Sequence, residues 1–252
     1  MADDDVTPPD EPRPDEAPGP DDPPGSGDLP DDLAAMEADL LDGGGEGVMA
    51  MFPLGSVLVP TMVLPLHVFE HRYRRLVRDC AAGAQEFGVV LIERGREIGG
   101  GDVRSDVGTV ARMVRAAELP DGRFALECVG TRRIRVLRWL EDAPYPRAEV
   151  EDWPDELGPA GVDPAALREM AVERLRRGLE LQIGLGEAGP DPSIELSEDP
   201  ETASHQVAAV APIGPHDRQK LLAAAGTVDR LLLADSLLAD AVELLEARRD
   251  MG

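Results

Sequence analysis

Lysine is nearly absent from this sequence. Lys220 is the only one, and the other basic residues are arginines. Aromatic residues are scarce at 3%, so a core has to be assembled from Leu, Val, Ile and Ala, and a ring-lined stacking pocket is disfavoured. Cysteine occurs twice, at Cys80 and Cys128. Two distant cysteines form neither a disulfide framework nor a zinc cluster, and the expectation is two small buried thiols in a reducing compartment. No run of about 18 apolar residues exists, so no membrane-spanning helix is expected. The N-terminus, MADDDVTPPD, has no apolar segment of the secretory kind, and the expected location is the cytoplasm. Basic charge is short overall: 25 Lys and Arg face 50 Asp and Glu, a formal net charge of −25. Such a surface repels phosphate backbones and anionic lipid, which excludes nucleic acid and membrane as expected partners.

What is present falls into three regions. Residues 1–47 carry 16 acids against Arg13 as the only base, with nine prolines, and read as a disordered acidic tail. Within it, Leu33, Met36, Leu40 and Leu41 sit at helical spacing, enough for a transient amphipathic helix. Residues 48–155 read as strand-rich and 156–252 as helical, which makes the fold class α+β.

In the strand-rich region, Met49–Leu66 is apolar but punctuated by Pro53, Pro60 and Pro65, so it predicts short extended pieces. Glu70–Gly83 predicts a helix with Tyr73, Leu76, Val77, Cys80 and Ala81 on one face and Arg72, Arg74, Arg75 and Arg78 on the other. Phe87–Ile92 is a buried-strand pattern. Val107–Leu119, a Pro-Asp-Gly turn and Arg123–Val129 predict a hairpin, and Arg133–Trp139 and Pro146–Trp153 predict two further strands. In the helical region, Asp163-Pro164 and Asp199-Pro200 are start signals, the first helix running to about Ile183 and the second ending before Pro212. Pro215 opens a third helix, and Thr227 caps a fourth that reaches about Arg248.

Few motifs carry chemistry. His67, Glu70 and His71 match the H-x-x-E-H pattern of a metal-dependent hydrolase. That pattern needs both histidines on one helical face, yet Pro65 and the expected helix start place His67 before the helix. Gly99–Gly101 is followed by Asp102 and a strand, so it reads as an inter-strand loop rather than a phosphate cradle. No G-x-S-x-G elbow exists, and nothing brings His205 or His216 to either cysteine. Arg132, Arg133, Arg135 and Arg138 are expected to pair with the chain's own acids on an open strand face.

A family resemblance rests on several motifs in order. Phe52–Val77 (FPLGSVLVPTMVLPLHVFEHRYRRLV) resembles the opening of the Lon protease N-terminal domain, whose P-L-x-x-F-E-x-R-Y signature is matched by Pro65, Leu66, Phe69, Glu70, Arg72 and Tyr73. Residues 106–111, the turn at 119–123, the Arg-rich strand at 129–136, Pro144–Ala148 and the pair Gln219-Lys220 followed by Arg230-Leu231 resemble later motifs of the same domain. His71 stands where that family often has Pro.

The resemblance implies a PUA-like β pseudo-barrel followed by a C-terminal α-helical bundle, and a domain that recognises substrates. In full-length Lon an ATPase and a Ser–Lys peptidase follow it. The phosphate-loop motif needs a lysine between Gly and Ser/Thr, whereas Lys220 lies between Gln219 and Leu221. The chain is therefore expected to resemble stand-alone bacterial members, non-catalytic and without cofactor or metal. It is expected to bind unfolded or specific protein clients, as an adaptor working with a protease or a chaperone ATPase. The expected binding surface is Phe52, Leu54, Val57, Leu58, Met62, Phe69, Arg72 and Tyr73. The alternatives are a small-ligand sensor on the barrel and the hydrolase built on His67, Glu70 and His71.

Overall fold

The computed structural model describes residues 47–94 and 103–251, all within one compact unit, Gly43–Gly252. The expectations for the acidic tail, for Leu29–Leu41 and for the Gly99–Gly101 loop lie outside the described residues.

Among the described residues six strands come first, interrupted by one helix: β1 Gly47–Leu54, β2 Val63–Val68, α1 His71–Ala81, β3 Glu86–Arg94, β4 Val103–Glu118, β5 Phe124–Trp139 and β6 Arg147–Asp152. Four helices follow: α2 Pro164–Gly184, α3 Pro200–Val210, α4 Pro215–Leu222 and α5 Thr227–Met251. The α+β layout expected from the patterning is thus observed.

The strand order is β2-β5-β4-β3-β1-β6, and β6 also pairs with β5, so five strands close into a ring with β2 outside it. Closure depends on two strands that change partner along their length. Residues 47–50 of β1 pair antiparallel with β6, and residues 51–54 pair parallel with β3. The first half of β5 pairs with β2 and the second half with β6, while β4 lies along its other side. The sequence pattern predicts β5 as two strands separated near Gly130, but the structure shows one strand of 16 residues. Gly130 marks a close approach instead: a Cβ there would lie 2.3 Å from the carbonyl oxygen of Val59.

Alternate strand residues serve two cores. Met51, Val90, Val110, Ile134, Val136, Ala148 and Val150, drawn from all five ring strands, pack together. Their neighbours Phe52, Phe87, Val89, Ala111 and Met113 join Leu64, Val68, Leu126 and Cys128 against Tyr73, Leu76, Val77 and Cys80 of α1. A third core unites Val172, Leu175, Leu179, Val207, Leu221 and Leu238 of the helices with Val57, Val59 and Leu91 of the strand region.

Capping follows the start signals. Asp163 accepts from the backbone N–H of Ala165 at 3.0 Å, and Asp199 from that of Thr202 at 2.8 Å. Thr227 behaves differently from expectation. It is the first residue of α5, and its hydroxyl donates to Asp155 Oδ2 at 2.7 Å. The helix expected over Glu70–Gly83 ends at Ala81 with Ala82 as its C-cap, and the left-handed residue of that turn is Gln85 at φ 59°.

Candidate functional site

The residues expected to form a binding surface separate into two groups. Phe52, Leu54, Val57, Leu58 and Tyr73 are buried. Phe52 stacks on Tyr73 with ring centroids 4.2 Å apart, and Val57 belongs to the core shared with the helices. In this conformation their side chains are packing residues. Met62 is half-buried against the same cores. Arg72 is half-buried and donates through Nε to Glu70 Oε2 at 3.0 Å. Phe69 alone of the eight is strongly exposed, at 55%.

His67 and His71 are both exposed and belong to different elements. His67 is in β2, in register with Ala125, and His71 is the first residue of α1. The single helical face that the hydrolase pattern requires is therefore not built. Among the described residues no three His, Cys, Asp or Glu side chains are grouped as metal ligands. The cysteines are buried, which pushes the Cys80 thiol up to about 11 and the Cys128 thiol up to about 12. Neither is a thiolate at neutral pH.

The Arg run mostly pairs with local acids, as its pattern suggests. Arg132 contacts Glu86 and Asp152, both within 3.0 Å, Arg135 reaches Glu151, and Arg138 pairs with Glu149. Arg133 departs from it. Its guanidinium is buried and donates to the carbonyls of Leu222 at 2.8 Å and Ala224 at 2.5 Å and to Asp155 Oδ1 at 2.6 Å. Asp155 also accepts from Arg230, which is fully buried and donates to Ser204 Oγ at 2.7 Å. Burial by itself raises the Asp155 carboxyl; hydrogen bonds and charge from Arg230, Thr227 and Arg133 reverse this and hold it below the usual carboxylate range. The network ties the strand region to α3 and α5.

Open space lies elsewhere, among the helices. A cleft of about 470 Å³ is lined by the C-terminal end of α2 and the loop after it, by the link between α3 and α4, and by α5. Pro212 follows the C-cap of α3, and its ring sits 3.2 Å from where a Cβ at Gly178 would stand, so the glycine lets the link approach α2 closely. Gln182 Nε2 donates to the Ala188 carbonyl at 2.8 Å, and Arg248 Nη2 donates to Glu187 Oε1 at 2.5 Å; together they hold the loop at the rim. Val210, Pro212, Ile213, Ala241 and Leu244 supply apolar walls, and Leu244 is 62% exposed. Arg218 lines the same cleft. Its Nε donates to the Ala208 carbonyl at 2.8 Å and its Nη2 to that of Ala211 at 3.0 Å. A larger depression along α2, about 630 Å³, is lined by Arg168, Glu169, Glu173, Arg176, Arg177 and other charged side chains.

The sequence patterns miss this cleft because its walls come from four separate elements. One local signal exists: the positions three and four residues from Arg218 are Gly214, Pro215, Leu221 and Leu222, so its helix offers no acidic partner.

Comparison with known proteins matches residues 48–240 to the model of the ATP-dependent protease La (LON) substrate-binding domain. Lon protease 2 of Myxococcus xanthus is 29% identical over 202 residues, which is 79% of this chain and 24% of that protein. Lon protease 2 of Herpetosiphon aurantiacus is 27% identical over 202 residues, 77% of this chain and 24% of that protein. The chain thus spans about a quarter of the length of these curated relatives. A crystal structure of a Lon N-terminal domain protein from Xanthomonas campestris is 30% identical, with a TM-score of 0.54 over 77% of this chain and 98% of that one. The N-terminal domain of the Mycobacterium avium complex Lon protease shares the fold at 15% identity, with a TM-score of 0.56 over 77% of this chain and 99% of that one.

Proposed function

Because the chain belongs to the family of the Lon substrate-binding domain, we propose that it is a non-catalytic module that binds segments of other proteins, acting as an adaptor in proteolysis or protein quality control. The observation that carries this reading is the extent of the family match, which takes in almost every described residue from β1 to α5. The chemistry of the site supports it. The cleft among the helices has apolar walls suited to side chains that a folded client keeps hidden. Phe69 adds an exposed aromatic on the strand region, and we retain it with Met62 and Arg72 as a second contact surface. The buried, protonated cysteines and the divided His67 and His71 offer no nucleophile or metal site in support of the hydrolase alternative. No described helix is long and apolar enough to cross a membrane, which is compatible with clients met in the cytoplasm.

The test is fluorescence anisotropy with a reduced, alkylated and therefore permanently unfolded protein, titrated with this chain. Saturable binding of the unfolded probe, absent for the same protein in its folded form, is expected. Equal behaviour of both forms, or binding of neither, would sink the proposal.

A further inference from the structure

The helical cleft contains a cation that no carboxylate among the described residues neutralises. Arg218 makes its hydrogen bonds to two backbone carbonyls at the C-terminal end of α3, and no carboxylate among the described residues pairs with it. A guanidinium carries five N–H donors. The bonds to Ala208 and Ala211 engage Nε and Nη2, leaving the Nη1 group for another acceptor. Arg248, the other cation lining the cleft, is already matched by Glu187. The site therefore combines apolar walls with one unmatched, half-buried positive charge.

We propose that this cleft binds the C-terminal end of another polypeptide, with the terminal carboxylate on Arg218 and the last apolar side chains against Val210, Pro212, Ile213 and Leu244. The proposal rests on the protein-binding reading and names the class of segment bound. Charge complementarity selects the occupant. A chain with net charge −25 repels segments rich in Asp and Glu, so the favoured partner brings one negative charge on an otherwise apolar stretch. A free C-terminus is such a group, and every polypeptide has one whatever its sequence. Capture of a terminal carboxylate by clustered donors is a recurring mode of peptide recognition. An Arg–carboxylate contact shielded from water is stronger than a neutral hydrogen bond and fixes the position of the chain end.

The experiment uses the full chain and an N-terminally fluorescein-labelled peptide of alanine, valine and leucine residues, prepared as the free acid, as the C-terminal amide, and as the amide with one internal aspartate. The free acid is expected to bind about ten-fold more tightly than the amide. Arg218→Met is expected to erase that difference. Because Arg218 also braces the end of α3, Leu244→Asp provides an independent variant. Its site is solvent-exposed, so the fold is retained, and binding of the free acid is expected to weaken by about five-fold or more as apolar contact is lost and a like charge is added. Equal affinity for acid and amide overturns the proposal. So does an internal-aspartate amide that binds as well as the free acid, since the carboxylate would then come from a side chain. If the unfolded protein probe binds but neither amidation nor Leu244→Asp alters peptide binding, the cleft assignment falls while the protein-binding reading stands. If unfolded protein and peptides all fail to bind, both fall.

Discussion

Asp155 Oδ1, just beyond the last strand, accepts from Nη2 of Arg230 in the final helix at 2.5 Å. Arg133 of β5 donates to the same oxygen, so one carboxylate joins two buried guanidinium groups, one from the strand region and one from the helices. Removing one member of such a cluster leaves uncompensated buried charge. Asp155→Ala is expected to destabilise the protein by about 3–5 kcal/mol, read as a lowered urea midpoint with the slope preserved. A loss below about 1 kcal/mol would show that water reaches the cluster and screens it.

His205 lies beside this network, and burial followed by the charge of Arg230 pushes its pKa down to about 3. The folded state thus keeps His205 neutral while the unfolded chain protonates it near the ordinary value of about 6.5. The unfolded state binds more protons below that value, so this stability is present at neutral pH and is lost as pH falls from about 6.5 toward 3. Urea unfolding between pH 7 and 4.5 should show the decline. His205→Gln should flatten it by up to about 1.4 kcal/mol per pH unit at the acid end. An unchanged slope in the variant would mean that His205 titrates alike in both states.

Phe69 and Tyr73 are four residues apart and should respond oppositely. Phe69→Ala removes an exposed ring, so stability should change by less than about 0.5 kcal/mol. Client binding should weaken if Phe69 contacts the client. Tyr73→Ala empties a site stacked on Phe52 and should cost about 3–5 kcal/mol, visible by thermal denaturation. A Phe69 variant that loses stability but keeps full binding would remove it from the contact surface.

Gly130→Ala places a methyl group where the Val59 carbonyl already stands. We expect a loss of about 1–3 kcal/mol by chemical denaturation, because the segment before β2 must move away from β5. Wild-type stability in this variant would show that the crossing is loose.

Cys80 and Cys128 should resist a water-soluble thiol reagent at pH 7.5 in the folded protein, and both should react within minutes in urea. Stoichiometric labelling without denaturant would contradict their burial.

The class of fold and most element positions are legible in the order of residues, because those depend on short-range physics. The two Asp-Pro starts, the alternation along Phe124–Val129 and Arg133–Trp139, and the 3.6-residue apolar stripe of α1 each act over a few neighbouring residues. Family motifs at Phe52–Tyr73 added the architecture. What those residues face depends on long-range packing. Phe52, Leu54, Val57 and Leu58 read as an apolar stretch available for clients, yet the ring of strands and the helices cover them from two sides. Arg133 reads like its neighbours Arg132 and Arg135, yet it alone reaches the backbone of α4 and shares Asp155 with Arg230. Leu244 carries no local signature of a site, and the local signal at Arg218 is limited to the lack of an acidic residue three or four positions away. The two become a site because chain closure brings distant helices together, and neither periodicity nor spacing encodes which distant charge ends up without a partner.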